Sequence, residues 1–162
     1  MKFFLIFLII LFIVVIGTGL FFYSNFTIEP TDIIQQAAES MTAEQLAGYT
    51  QASTATFTMI DLVHQGRGAA AIYALGDQAI LRFENFSVTN GPDLFVYLSK
   101  NKNLQGLRPN LGEFISLGRL KGVAGEQTYV LPENYQEYPS VVVWCRAFGV
   151  LFSVAEFSQP TP

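Results

Sequence analysis

From Thr54 to Phe157 the chain repeats one pattern, in which short runs of β-branched and aromatic residues end at turn residues. The runs recur at the spacing of roughly 8–12 residues that is typical of all-β domains. About eight of them follow one another, which is enough strands for two packed sheets. The pattern therefore predicts an all-β, antiparallel β-sandwich over residues 54–158.

Two stretches within this pattern are specific. "GAAAIYA" and "AILRFENF" flank the dipeptide Gly76-Asp77, which predicts a β-hairpin. In its second arm Leu81 and Phe83 share one face, and Arg82 and Glu84 share the other. "DLFVYLS" follows the turn signal "NGP" and is apolar on both faces, as expected of a strand inside a sheet.

The N-terminus carries a different signal, an uncharged run of 21 residues from Phe3 to Tyr23. A helix rising about 1.5 Å per residue would let this run cross a hydrocarbon core of about 30 Å. A cleaved signal peptide is the rival interpretation, but its apolar region is usually about 7–15 residues and ends at small residues. Bulky residues 20–23 close this run instead, so the sequence predicts an uncleaved transmembrane helix within residues 1–23.

Charge predicts how this anchor is oriented. Lys2 precedes the run, whereas residues 24–66 contain five acidic residues and no Lys or Arg. The positive-inside rule then predicts a single-pass protein of the cell membrane, with a cytoplasmic N-terminus and an extracytoplasmic C-terminal domain. Residues 24–53 are polar and rich in helix formers, which predicts a stalk with short helices. Residues 159–162 are predicted to be a disordered tail.

The remaining composition excludes several classes of function. Residues 67–157 contain eight basic and eight acidic residues, so no basic surface for nucleic acid is predicted. Motifs of serine hydrolases, zinc proteases and phosphate-binding loops are absent from the sequence. One cysteine cannot form an intramolecular disulfide. The sequence does not define an oligomeric state.

The first candidate site residue is Cys145, which follows the only tryptophan, Trp144. Strand alternation places Cys145 on the face of Val143 and turns Arg146 to the opposite face. One interpretation is a small, buried packing residue, because free cysteines are among the most buried residue types. The other is a redox group, either a thiolate ligand or a one-electron relay.

The second candidate is His64, the only histidine, which lies just before Gly66 and Gly68 at the end of the first predicted strand, "ATFTMIDLV" at residues 55–63. It is interpreted either as a turn histidine or as a metal or haem ligand. One His and one Cys are few ligands for zinc, and the c-type haem motif is absent, but one axial residue can hold a noncovalent haem. Asp93 follows the "NGP" turn and is predicted to cap it rather than to act as a base.

These residues stand in four stretches that occur in order over about 100 residues: "F…DLVHQGRGAAAIY", "LRFENFSVTNGPDLFVYLS", "LGRLKGVAGEQTYVLP" and "YPSVVVWCRAFGVLFSVAEF". Together they resemble the DM13 domain family. The resemblance implies a β-sandwich similar in style to DOMON domains and an electron-transfer role. In that role Cys145 would be the redox group or haem ligand, and His64 matches the family's histidine before the glycine.

Two functional hypotheses follow, both non-catalytic, and an enzyme with its own turnover remains a third alternative behind them. In the first, an anchored electron-transfer domain uses Cys145, with His64 as a helper, and exchanges electrons with a separate partner protein. Its cofactor is undefined, and a haem or another redox centre would suit it. The alternative is a non-enzymatic binding or adhesion module at the cell surface. It would recognise a protein or glycan through Phe95, Tyr97 and Tyr129.

Overall fold

The computed structural model describes residues 46–158. The anchor predicted within residues 1–23, most of the predicted stalk and the predicted tail at 159–162 lie outside these described residues. Within residues 46–158, no helix has the length and apolar character needed to span a membrane.

The described part of the chain forms nine β-strands and one short 3₁₀ helix at Tyr135–Glu137. In chain order the strands are β1 (Thr50–Thr56), β2 (Thr58–Met59), β3 (Gly66–Leu75), β4 (Gln78–Val88), β5 (Leu94–Ser99), β6 (Phe114–Arg119), β7 (Gln127–Val130), β8 (Ser140–Cys145) and β9 (Val150–Glu156).

All strand pairs are antiparallel and form two sheets. The first sheet has the order β1-β3-β4-β7, and the second has the order β2-β9-β8-β5-β6. A continuous apolar core fills the space between them, so the predicted β-sandwich is confirmed.

The first predicted strand, residues 55–63, differs from the structure in both bounds and number. β1 begins at Thr50, inside the segment predicted as stalk, and the chain crosses to the second sheet at Phe57. Phe57 is buried, and its ring packs edge-on against Phe83 and Phe86. This aromatic anchor divides one apparent run into two strands, β1 and the two-residue β2, so the count is nine rather than about eight.

The predicted hairpin is confirmed as β3–β4. Leu75 pairs with Gln78 across a two-residue turn, and Gly76 has the positive φ of 59° that such a turn requires. Leu81 and Phe83 are buried, while their neighbours Arg82 and Glu84 are partly exposed, as the alternation predicts.

β5 is buried along its whole length and lies between β8 and β6, as its apolar faces predict. One face of β5 contributes Val96 to the core between the sheets. The other contributes Phe95 and Tyr97 to a second apolar cluster, in which Leu104 and Leu111 belong to the long β5–β6 loop. The loop therefore covers the outer face of the second sheet.

Strand directions define two ends of the sandwich. At one end, here called the cysteine end, β3 and β9 begin and β8 stops at Cys145. The Gly76-Asp77 turn lies at the other end, here called the hairpin end. Thr50, the first residue of β1, pairs with Ala74 next to this turn, so the chain enters the sandwich at the hairpin end.

The two sheets approach each other closely near the cysteine end. A Cβ atom on Gly66 of β3 would overlap the Cβ and Oγ atoms of Ser153 on β9. The Ser153 hydroxyl donates to the carbonyl of Thr58, which ties β2 to the edge of the second sheet. Glycine at position 66 thus lets the loop before β3 fold against β9.

Candidate functional site

Cys145 is the last residue of β8 and is completely buried. Its ladder partners are Leu94 on β5 and Val150 on β9. Side chains directly opposite each other in antiparallel strands share a face, and all three residues belong to the core between the sheets. The thiol is free and lies in an apolar setting.

The alternation predicted around Cys145 is confirmed. Val141 and Val143 share the inner core with Cys145, while Val142 and Trp144 pack into the outer cluster. The β8–β9 connection follows at once, and the carbonyl of Cys145 accepts the N–H of Gly149 at 2.9 Å. The thiol therefore lies one residue from a surface loop, although no part of it reaches the surface.

His64 lies in the β2–β3 loop rather than at the end of a strand. Its Nδ1 atom lies 2.9 Å from Oδ1 and 3.0 Å from Oδ2 of Asp61. The same Oδ1 accepts the backbone N–H groups of Val63 and His64 at 2.8 and 2.6 Å. One carboxylate thus shapes the turn and holds the imidazole.

The electrostatics of this pair assign its protonation. Hydrogen bonds from the backbone and then the side chain of His64 lower the pKa of Asp61, so this carboxylate is ionised at neutral pH. An ionised carboxylate only accepts hydrogen bonds, so Nδ1 of His64 carries the proton that it donates. In a neutral ring the free Nε2 is then an acceptor, available to a metal, a proton or a hydrogen-bond donor.

His64 and Cys145 lie at the same end of the sandwich but are not joined. The imidazole packs edge-on against Phe152, with ring centroids 4.6 Å apart. Phe152 belongs to the same core cluster as Cys145. Among the described residues, the side-chain hydrogen bonds and ring contacts of His64 involve Asp61 and Phe152, and none reaches the thiol.

Phe152 reaches this position because of an irregularity in β9. The β8–β9 register shifts between Val143 and Trp144, which pair with Ser153 and Leu151 and leave Phe152 as the extra residue. Such a bulge re-aims a side chain. A Cβ atom on Gly91 would meet the Phe152 ring, so the "NGP" turn also packs against that ring.

Asp93 has a different role from the predicted turn cap. Its carboxylate accepts Arg119 Nη1 at 2.9 Å and Arg146 Nε at 3.0 Å. Both guanidinium groups also stack on the ring of Phe95, at 5.1 and 4.2 Å from its centroid. The carboxylate therefore pairs with two arginines, and neutralises them in part, on the outer face of the second sheet, the face opposite to the thiol.

The three aromatic residues proposed for ligand stacking are not available at the surface. Phe95, Tyr97 and Tyr129 are all buried. Burial also raises the pKa of Tyr97, and the hydroxyl of Tyr129 donates to Gln127 Oε1 at 2.8 Å. A protein- or glycan-binding module would need other residues for recognition.

The surroundings of the two candidates limit which cofactors fit. A haem ligated by Cys145 would occupy the space that Leu94, Val150 and their core neighbours fill, so a haem does not fit beside the thiol in this packing. Within residues 46–158, no group of three or more His, Cys, Asp or Glu side chains is close enough to hold a metal ion. The hydrogen bonds of the His64 ring involve Nδ1 and the carboxylate of Asp61.

Sequence reasoning found Cys145 and His64 but missed the groups that surround them. Asp61 precedes His64 by three residues, a spacing at which Asp commonly accepts backbone N–H groups in a turn, so the pair had a local signal. The contact between His64 and Phe152 had no local signal in the sequence, because it depends on a bulge and on packing between distant segments.

Comparison with known proteins agrees with this architecture. The family model described as "Electron transfer DM13" matches residues 56–157. The match covers most of the described sandwich and more than half of the chain, so this chain belongs to the DM13 family, which is described as an electron-transfer domain. No curated protein and no solved structure matches the chain.

Proposed function

We propose that this protein is a membrane-anchored, extracytoplasmic electron-transfer domain whose redox group is Cys145. The observation that carries the proposal is the position of this thiol. It is the only one in the chain, it lies inside the DM13 match, and it is buried at the end of β8, one residue from a surface loop.

Burial gives the thiol properties that suit electron transfer better than thiol exchange. Disulfide exchange requires direct attack by another sulfur, and a closed core keeps that sulfur out. An electron does not require direct contact with its partner, so an oxidised partner protein at the cysteine end takes one electron from the thiol, which becomes a thiyl radical as its proton is released to solvent. The same burial protects the sulfur from irreversible oxidation, which follows exposure and thiolate character.

We infer that His64 assists from the same end of the sandwich. Its Nδ1 is held by the Asp61 carboxylate, and its ring packs against Phe152, which belongs to the same core cluster as Cys145. The anchor belongs to the proposal as well. It is supported by the uncharged run of residues 3–23 and by the charge distribution on either side of it.

The test uses the full protein, purified from its native membrane in mild detergent. Protein-film voltammetry and absorption spectra from 300 to 700 nm, before and after dithionite, are compared for the wild type and Cys145→Ser. We expect a reversible redox signal in the wild type and none in the variant, with the same far-UV circular dichroism. Cys145→Ala is the matched control, because it removes the sulfur without adding a hydroxyl.

Two results would contradict the proposal in different ways. A redox signal that persists in Cys145→Ser would place the redox group elsewhere. A wild-type protein with neither a redox signal nor an absorption band would remove the electron-transfer role and favour a binding module at the cell surface.

A further inference from the structure

Exposed apolar side chains are concentrated at one end of the molecule. The described residues include eight large hydrophobic side chains that are well exposed, and only Leu75 and Phe114 lie at the hairpin end. The six at the cysteine end form what is here called the apolar end patch: Met59 (57% exposed), Leu62 (84%), Val63 (65%), Leu107 (41%), Val123 (40%) and Phe148 (61%).

Hydrogen bonds hold the segments that carry Leu107 and Phe148 near each other. The carbonyl of Leu107 accepts the N–H of Leu151 at 2.7 Å, and Arg108 Nη2 donates to the carbonyl of Phe148 at 3.4 Å. The β5–β6 loop is thereby tied to the start of β9 and to the β8–β9 connection, which carries Phe148.

The first sheet contributes the other margin of the patch. The carbonyl of Val123 accepts the N–H of Val88, the last residue of β4, at 2.9 Å. Met59 and Val123 line one shallow concavity of about 500 Å³. Leu62 and Val63 project from the loop that follows Met59 and precedes His64. The patch therefore lies at the end of the sandwich at which both candidate site residues are found.

The charges around the patch differ in sign from those at the opposite end. Five basic side chains and three carboxylates lie at the cysteine end: Arg67, Arg108, Arg119, Lys121, Arg146, Asp61, Asp93 and Glu126. Asp93 neutralises Arg119 and Arg146 in part, and Asp61 binds His64. The hydrogen bonds of Arg67 and Arg108 go to a hydroxyl and a carbonyl, so their positive charge is in excess.

The hairpin end is acidic by the same comparison. Five carboxylates and two lysines lie there: Asp77, Glu113, Glu133, Glu137, Glu156, Lys100 and Lys102. Lys100 bridges Glu113 and Glu137, which still leaves an excess of negative charge. The domain thus has one apolar, basic end and one polar, acidic end.

We propose that the cysteine end is the docking surface for a partner protein that presents an apolar face with an acidic rim. Clustered exposed apolar groups with a charged rim are characteristic of protein interaction sites, and the rim charge selects the partner. Two copies of this chain cannot meet through this end without bringing like charges together, which disfavours a symmetric dimer. Identifying this partner as the electron partner rests on the function proposed above.

Photo-crosslinking in living cells tests the proposal with the full chain. A benzophenone side chain replaces Leu62 or Phe148 at the cysteine end, or Leu75 or Phe114 at the hairpin end as matched controls. We expect one protein, identified by mass spectrometry, to be captured from both cysteine-end positions and from neither hairpin-end position. Its captured surface should contain an apolar centre and an acidic rim.

Binding to the purified partner then measures the contribution of each feature. Leu62→Glu adds a negative charge within the patch and is expected to weaken binding at least about tenfold, whereas Leu75→Glu at the hairpin end has no effect. Arg108→Gln should lower the association rate and flatten its dependence on salt concentration.

Other outcomes overturn the proposal. Capture of lipid from Leu62, or sedimentation with phosphatidylglycerol vesicles that Leu62→Glu abolishes, would make this end a membrane contact. Capture of a second copy would make it a self-association surface, and equal or absent capture at both ends would remove the surface altogether. A partner that docks here but leaves Cys145 redox-silent would refute the proposed function while the docking surface stands.

Discussion

At the scale of the residue, Cys145 combines complete burial with a position beside a loop. Leu94 and Val150 flank it on the inner face, and the thiol lies in the core between the sheets. A hydroxyl in that place must be buried among apolar neighbours, whereas sulfur is tolerated there as a small hydrophobic group.

This setting predicts the stability cost of changing the thiol. Cys145→Ser is expected to lower the free energy of unfolding by about 1–2 kcal/mol, because the new hydroxyl loses hydrogen bonds with water. The measurement is urea denaturation of the wild type and the variant at equal m-values. Cys145→Ala serves as the control and should cost less than Cys145→Ser. A larger loss of unfolding free energy for Cys145→Ala than for Cys145→Ser would mean that a polar group contacts the side chain at position 145.

A second prediction at this scale concerns Asp61 and pH. Its pKa is held below the ordinary value of 3.8 by hydrogen bonds from His64, so its folded form favours the charged state. The stabilisation is therefore complete above the unfolded pKa and is lost as the pH falls through the folded pKa. The difference in urea midpoint between the wild type and Asp61→Asn should be present above the unfolded pKa of Asp61 and shrink as the pH falls through the folded pKa.

The control for this experiment is Asp77→Asn at the hairpin turn, where the β3–β4 loop contains no histidine. The difference in urea midpoint between the wild type and the variant should depend on pH for Asp61→Asn and not for Asp77→Asn. A difference between wild type and Asp61→Asn that stays constant down to acid denaturation would contradict the assigned role of this carboxylate.

At the scale of the element, the β2–β3 loop depends on the close approach of β3 and β9. Gly66 faces Ser153 with no room for a Cβ atom, and Ser153 Oγ donates to the carbonyl of Thr58. This contact sets where the loop with Asp61 and His64 lies on the second sheet. It also links the two sheets at the end where the candidate site is found.

Gly66→Ala should therefore destabilise the domain by about 1–3 kcal/mol, as expected of overpacking in a core. Ser153→Gly removes both overlapping atoms, so the cost of Gly66→Ala should be smaller in that background. Ser153→Ala keeps the Cβ atom and should relieve less of the cost. A double-mutant cycle of unfolding free energies measures both couplings, and additive effects would show that the two sheets do not meet as described.

At the scale of the whole molecule, the two ends of the sandwich have different chemistry. The chain enters at the hairpin end, which is acidic, and the apolar end patch surrounds the cysteine end. The end at which the described chain enters the sandwich is thus separate from the end that carries the apolar end patch. The anchor itself is a prediction from residues 3–23 and lies outside the described residues.

Protease accessibility tests the predicted membrane orientation. Proteinase K added to cells with an intact cytoplasmic membrane and a permeabilised outer layer should cut the polar segment after the apolar run and release the β-domain. A cytoplasmic protein is the internal control for membrane integrity. Protection of the domain until the cells are lysed would reverse the orientation, and release without protease would favour a cleaved signal peptide.

The sequence by itself determined which residues face inward. Alternation of apolar side chains is a local property of a strand, so it correctly predicted the sandwich, the β3–β4 hairpin, the interior position of β5 and the face on which Cys145 lies. It also singled out His64, since only one histidine is present.

The tertiary structure alone decided what surrounds those residues. The crossing at Phe57, the bulge that places Phe152 against His64, and the meeting of Gly66 with Ser153 all depend on pairing between distant segments. The burial of Phe95 and Tyr97 depends on a loop that folds over the outer sheet. Long-range register and packing are not encoded in local periodicity, and they bring the apolar end patch, His64 and Cys145 to one end of the molecule.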